Sequence, residues 1–271
     1  MQSIVFSKKN LDFTTYLKEI YEYKSLIWTF AIRDIKLQYS QTFLGVASSL
    51  LQAILGTAIM SFFFGSFFKI NTGSIPYPVF LMPGMLAWYY FSYVSAYAGT
   101  SVIQAQHIIK KVYFPKLVLP FSKAIMGLVD FFIWLILFFI LCIVLKQAIY
   151  WHIVFLPLFI LMNVLTALSI ALWLAALTVR FRDLNILIPY LIGFGVFVTP
   201  VFFPTTMISQ QYHFLLYLNP MAGVISGFRW CLLGLDCFSG YYFIGFILVC
   251  ILFISGLIYF KKVEGIMSDI L

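Results

Sequence analysis

A single clear carboxylate, Asp130, falls within the long apolar runs of this 271-residue chain. An ionisable group in such a setting is either functional or held by a partner. Relay of protons would call for more buried charge than the runs contain. Asp130 is therefore expected to pair with a basic neighbour or to cap polar backbone. Hydrolysis or glycosyl transfer would need convergent carboxylates, or a nucleophile with a base in reach, and the sequence offers neither. No G-x-x-x-x-G-K-[ST] run is present to cradle nucleotide phosphates, so any ATP-driven work must be powered by another chain. The three histidines (107, 152, 213) and four cysteines (142, 231, 237, 250) are scattered without C-x-x-C spacing, and no metal site is expected. Cys231 and Cys237 could pair, although free apolar thiols are the expectation.

Aromatic side chains are abundant: 31 Phe, 17 Tyr and 6 Trp. In AWYYFSYVSAY, the side chains of Tyr89, Tyr90, Tyr93 and Tyr97 fall within an arc of about 100° on a helix. Such a stripe has flat apolar faces and hydroxyl handles, which suit sugars. Helix packing and an interfacial aromatic belt account for it equally. Phe194 and Phe197, on one side of a later run, and Phe202 and Phe203 at its end carry the same two readings.

The elements that must position these residues follow from composition. With 63% hydrophobic and 10% charged residues and a mean hydropathy of +1.02, the chain falls among integral membrane proteins. A crossing helix needs about 20 mostly apolar residues. Six runs qualify: Phe43–Phe68, Val79–Val102, Ile125–Leu145, Ile153–Val179, Ile186–Phe203 and Tyr241–Phe260. Nothing alternates as a β-barrel would. The expected fold is all-α and polytopic: a cytoplasmic N-terminus over 1–42 and a six-helix transmembrane domain over 43–271. In the N-terminal part, Ile27, Phe30, Ala31 and Ile35 share one side of a helix and Arg33 and Lys36 the other, as in a helix lying in the membrane interface. No cleavable signal peptide is expected.

If both termini are cytoplasmic, fourteen of the seventeen Lys and Arg residues lie inside, leaving Lys69, Lys146 and Arg229 outside. That asymmetry is the positive-inside pattern, and it explains the net charge of +8 without nucleic acid. HIIKKVYFPKLVLP then belongs to a cytoplasmic loop, 103–120. Between the fifth and sixth runs, 205–238 is apolar enough to suggest a seventh span, but Pro220, Arg229 and its glycines argue against one. Two short helices broken at Asn219-Pro220, re-entering the outer leaflet as the rim or gate of a pathway, are expected instead.

Several short motifs occur in order: RDIKLQYSQTFLGVASSLLQ (33–52), VYFPKLVLP (112–120), GLVDF (127–131), RFRDL (180–184), TPVFFP (199–204) and LNP (218–220). Together they resemble the membrane subunit of bacterial type-2 ABC exporters, in the branch that exports O-antigen, capsular polysaccharide or teichoic acid. The likeness runs from about residue 24 to 262. It departs from the pattern at Ser48 and Ala53, where a tryptophan and a proline are expected, which bears on substrate detail more than on fold.

The resemblance implies a permease in the bacterial inner membrane, working as a homodimer. Two ATP-binding cassette subunits would bind the ATP and magnesium, and this chain would hold no cofactor. Ile109, Lys110, Lys111, Val112, Tyr113, Phe114 and Pro115 would form the coupling segment seated in the ATPase, with Pro115 and Pro120 setting stiff turns. Its lysines either meet acidic groups there or only satisfy the insertion rule. Arg33 and Lys36 would contact the diphosphate headgroup of an undecaprenyl-linked glycan, or else ordinary anionic membrane lipid. Arg180, Arg182 and Asp183 are expected to pair among themselves. Tyr89, Tyr90, Tyr93, Tyr97, Phe194 and Phe197 would line the channel as platforms for sliding sugars. A type-2 exporter of a drug or lipid shares the implied fold and is the alternative.

Overall fold

The computed structural model describes residues 13–40, 45–235 and 242–270, and every regular element among them is helical. Lys8, Lys9, Cys237 and the first residues of two expected runs, Phe43 and Tyr241, lie outside the described residues. The helices are α1 (Phe13–Glu22), α2 (Lys24–Ser40), α3 (Val46–Met60), α4 (Tyr77–Gln104), α5 (Gln106–Ile109), α6 (Val118–Val144), α7 (Leu156–Arg180), α8 (Leu184–Val198), α9 (His213–Leu218), α10 (Pro220–Leu233) and α11 (Tyr242–Ile270). A π-helical stretch, Ser61–Phe67, prolongs α3, and a 3-10 turn, Trp151–Phe155, leads into α7. Prolines open α4, α7 and α10, where a missing N–H costs nothing, while Pro83 and Pro189 lie inside α4 and α8.

Four helical stretches are long and apolar enough to cross a membrane: Val46–Phe67, Val118–Val144, Trp151–Arg180 and Tyr242–Met267. The chain is thus a multi-pass membrane protein. The other two expected runs differ from plain spans. Helix α4 has the length, about 42 Å at 1.5 Å per residue, but its tyrosines, serines and glycines lower its hydropathy. It lies at the centre, packed by α3, α6, α7, α8 and α10, so most of its surface meets protein rather than lipid. Helix α8 is apolar but has only 15 residues, or about 22 Å, and it gives way to irregular backbone at Thr199.

Two apolar cores divide the bundle. The larger one joins α4, α6, α7 and α10 through Phe80, Leu86, Tyr90, Phe131, Phe138, Phe159 and Phe228. The smaller one gathers Tyr16, Phe30, Ile109, Phe114, Leu117, Phe260 and Met267 where α1, the 103–120 loop and the end of α11 meet. We call this the terminal end of the bundle and the end bearing α9 and α10 the distal end. Close approach of α10 to α7 depends on Gly227, where a Cβ would lie 2.0 Å from the Phe159 ring. Outer faces of α3 and α11 expose Ile54, Ile59, Ile251 and Ile254, the apolar surface that lipid or a membrane partner covers.

Candidate functional site: two ends of a helical permease

At the terminal end, the 103–120 loop divides into anchors and a tip. Helix α5 is one turn long, and Ile109 closes it into the core. Phe114, Pro115 and Lys116 are buried beyond the tip, with the Phe114 ring 5.7 Å from that of Phe30 on α2. Between these anchors Lys110, Lys111, Val112 and Tyr113 are exposed, Val112 by 60%. The coupling segment read from the sequence is therefore a four-residue presentation held at both sides. The Tyr113 hydroxyl donates to Glu19 Oε1 on α1 at 3.2 Å. Burial, and then Glu19, push that hydroxyl up to about 12, so it remains a donor at physiological pH.

Beneath the tip lies a carboxylate that the sequence reading did not single out. Glu264, near the end of α11, is buried and accepts the Tyr16 hydroxyl on one oxygen and the Lys116 backbone N–H on the other. Desolvation, and then Glu264, hold the Tyr16 hydroxyl far above its ordinary range, which keeps it a donor to the carboxylate.

Helix α2 packs on α6 through a second acidic contact. Asp34 is bridged by Arg33 at 2.8 Å and by Lys123 of α6 at 2.8 Å. Arg33 is thus already engaged, while Lys36 is exposed and makes no ion pair among the described residues. One step deeper, Asp130 does not pair with a base as expected. Its Oδ1 accepts the hydroxyls of Tyr39 (2.6 Å) and Ser49, and its Oδ2 accepts Gln38 Nε2 at 3.1 Å. Three neutral donors from α2 and α3 take the place of a basic partner or of backbone. The RFRDL turn also departs from expectation. Arg180, Arg182 and Asp183 are exposed and form no ion pair among the described residues, and Arg180 lies over the Phe181 ring instead. Exposure explains this, since water screens such charges and removes most of the gain from pairing.

The tyrosine stripe splits. Tyr90 turns inward, fully buried, with its hydroxyl on the Ala124 carbonyl at 3.1 Å, so it is taken up in packing. Tyr89 stacks on Trp134 at 4.8 Å and donates to Gln52 Oε1. Tyr93 donates to Met126 Sδ and leans on Tyr97 at 4.6 Å. Tyr97 is exposed and lines a cleft of about 580 Å³ between α4 and α8, with Ser92, Thr100, Gln104 and Asn185. Phe194 and Phe197 stand on the exposed face of α8.

At the distal end, Asn219 separates α9 from α10. Its Oδ1 accepts the Met221 N–H, and its Nδ2 donates to Thr199 Oγ1 at 2.7 Å. LNP and TPVFFP are therefore in contact. Arg229, on α10, is fully buried and donates to the carbonyls of Pro200 (2.8 Å), Phe203 (3.3 Å) and Val201 (2.7 Å), with its guanidinium 3.9 Å above the Phe80 ring. Tyr77 takes the remaining carbonyl, that of Phe202, at 2.7 Å. Every carbonyl from 200 to 203 is bonded by a side chain, which is the condition for irregular backbone among apolar spans. Cys231 is a free, buried thiol on the same helix.

Long apolar helices, among them α6 and α7, pack on the central α4, and a basic and apolar loop tip stands at one end of the bundle. The match to known proteins is specific: residues 25–233 fit the family model for ABC-2 type transporters, and the chain belongs to that family of ABC transporter membrane components, which work with ATP-binding partners. It is similar to the O-antigen export system permease protein RfbA of Myxococcus xanthus, 28% identical over 215 residues, spanning 79% of this chain and 82% of that protein. It is also similar to a protein of the same name from Klebsiella pneumoniae, 26% identical over 245 residues, 88% of this chain and 92% of the relative.

Proposed function

We propose that this chain is the permease subunit of an ATP-driven exporter that moves a lipid-linked polysaccharide of the O-antigen, capsule or teichoic-acid type across the bacterial inner membrane. The observation that carries this reading is the similarity, over most of both chains, to two O-antigen export permeases. Two copies enclose the path. Each crosses six times, with α4 as the second crossing and α8 completed by 199–204 as the fifth. Both termini are cytoplasmic, so the terminal end faces the ATPases and α9 and α10 re-enter from the outer side.

In that frame Lys110–Tyr113 are the residues that meet an ATPase subunit, steadied by Ile109, Phe114 and Pro115. Lys36, with its charge unshared, is the stronger headgroup contact, and Arg33 contributes what Asp34 leaves. Tyr97, Phe194 and Phe197 present rings to the path, with Tyr93 against Tyr97 and Tyr89 beside it, while Tyr90 packs into the core. Ring faces bind sugars weakly enough to let successive units pass. The test is ATP hydrolysis by the complex in proteoliposomes, with and without lipid-linked glycan extracted from its host. Stimulation by the glycan is expected. Indifference to it, with stimulation by a drug or free lipid, would reassign the substrate.

A further inference from the structure

We propose that Glu264 is a positioning residue for energy transfer: its carboxylate fixes the main chain at the base of the 110–113 tip and ties it to α1 and α11. The inference rests on the coupling role given above to that tip. Tyr16 lies on α1, Lys116 follows the tip, and Glu264 lies on the last helix, so this one buried acid hydrogen-bonds all three elements together within their shared apolar core. The bond to Lys116 is made by backbone rather than side chain, so it specifies where the chain itself runs. Pro115 has no N–H to offer, which makes that of Lys116 the first main-chain donor after the exposed tip and Phe114. Beyond it Leu117, Val118 and Leu119 are buried as α6 begins. A push on the tip therefore reaches the start of α6 through a peptide unit that Glu264 holds in place.

Other charges near this point do not duplicate the role. Glu19 holds only the Tyr113 side chain, and Lys261 lies over the rings of Phe13 and Tyr16 at 5.8 and 5.6 Å. Neither touches the loop backbone in these contacts. Glu264 is the group that joins backbone to two helices.

The readout is polymer transported per ATP hydrolysed, measured on the assembled complex in proteoliposomes loaded with host lipid-linked glycan. Glu264→Ala is expected to lower that ratio about ten-fold, within the usual span of coupling between sites. Glu264→Gln keeps a carbonyl oxygen for the Lys116 N–H and is expected to restore most of it. An unchanged ratio in Glu264→Ala overturns the proposal. Should that variant fail to assemble, Tyr16→Phe decides: a fall of about five-fold supports the proposal, and a parental ratio overturns it. A paired variant, Val112→Asn with Tyr113→Asn, separates the two readings. If the tip variant uncouples and the Glu264 and Tyr16 variants do not, only this inference fails; if the tip variant stays coupled, the coupling role and this inference fail together.

Discussion

Arg229 and Glu264 are buried ionisable side chains at opposite ends of one bundle, and each is held by the opposite half of the peptide unit. The guanidinium is surrounded by carbonyls that all come from residues 200–203. The carboxylate takes one hydroxyl from residue 16 and one N–H from residue 116. A charge satisfied by contiguous groups staples one segment to one helix. A side chain satisfied by groups a hundred residues apart ties separate elements together. The distal contact therefore fixes one segment, and the terminal contact links α1, α11 and the 103–120 loop.

The comparison breaks most visibly at Arg229. Arg229→Met leaves three carbonyls unbonded among apolar side chains, at about 1–3 kcal/mol for each, and the expected outcome is loss of folded protein from the membrane. Arg229→Lys restores one point charge but not the fork, so partial recovery in detergent melting should follow. Parental melting of Arg229→Met would show that 200–203 needs no staple. Next comes Asp130→Ala, which strands the donors of Tyr39, Ser49 and Gln38 and is expected to cost about 2–3 kcal/mol. Asp130→Asn keeps an acceptor and should lose roughly half of that, measured by the same melting. Tyr90→Phe removes a single neutral bond to a carbonyl and should cost about 1 kcal/mol without altering export. At the small end, Val112→Asn with Tyr113→Asn changes exposed side chains only and should shift stability by under about 0.5 kcal/mol. Its effect belongs in transport per ATP, and a large melting shift would mean the tip is part of the core.

Much of the scaffold was legible from hydropathy and from prolines. The break at Asn219-Pro220 falls where an N-cap precedes a residue suited to the first helical turn. Arg229 was legible as one of three exceptions to the charge asymmetry, though not as a carbonyl clamp, because its acceptors lie in a segment whose irregularity hydropathy cannot show. The tyrosine arc misled about Tyr90: an arc of about 100° is wide enough to include both a fully buried ring and the exposed Tyr97. Asp130 was noticed, but its donors on α2 and α3 lie 81 to 92 residues away, and no local spacing encodes that meeting. Glu264 was missed for the same reason, yet scarcity was a usable signal. Only nine acidic residues occur in the chain, and Glu19, Asp34, Asp130 and Glu264 each hold another element in place.

Helix α8 also bears on the surrounding bilayer. Its rigid part is shorter than the hydrocarbon layer, and the remainder is a ribbon whose carbonyls are tethered by Arg229 and Tyr77. In the six-crossing arrangement proposed above, hydrophobic mismatch here falls on the 15-residue helix, because the tethers fix the ribbon to α10 and α4. In that arrangement, lipid of different thickness would change the angle of α8 while leaving the packed centre of the bundle alone.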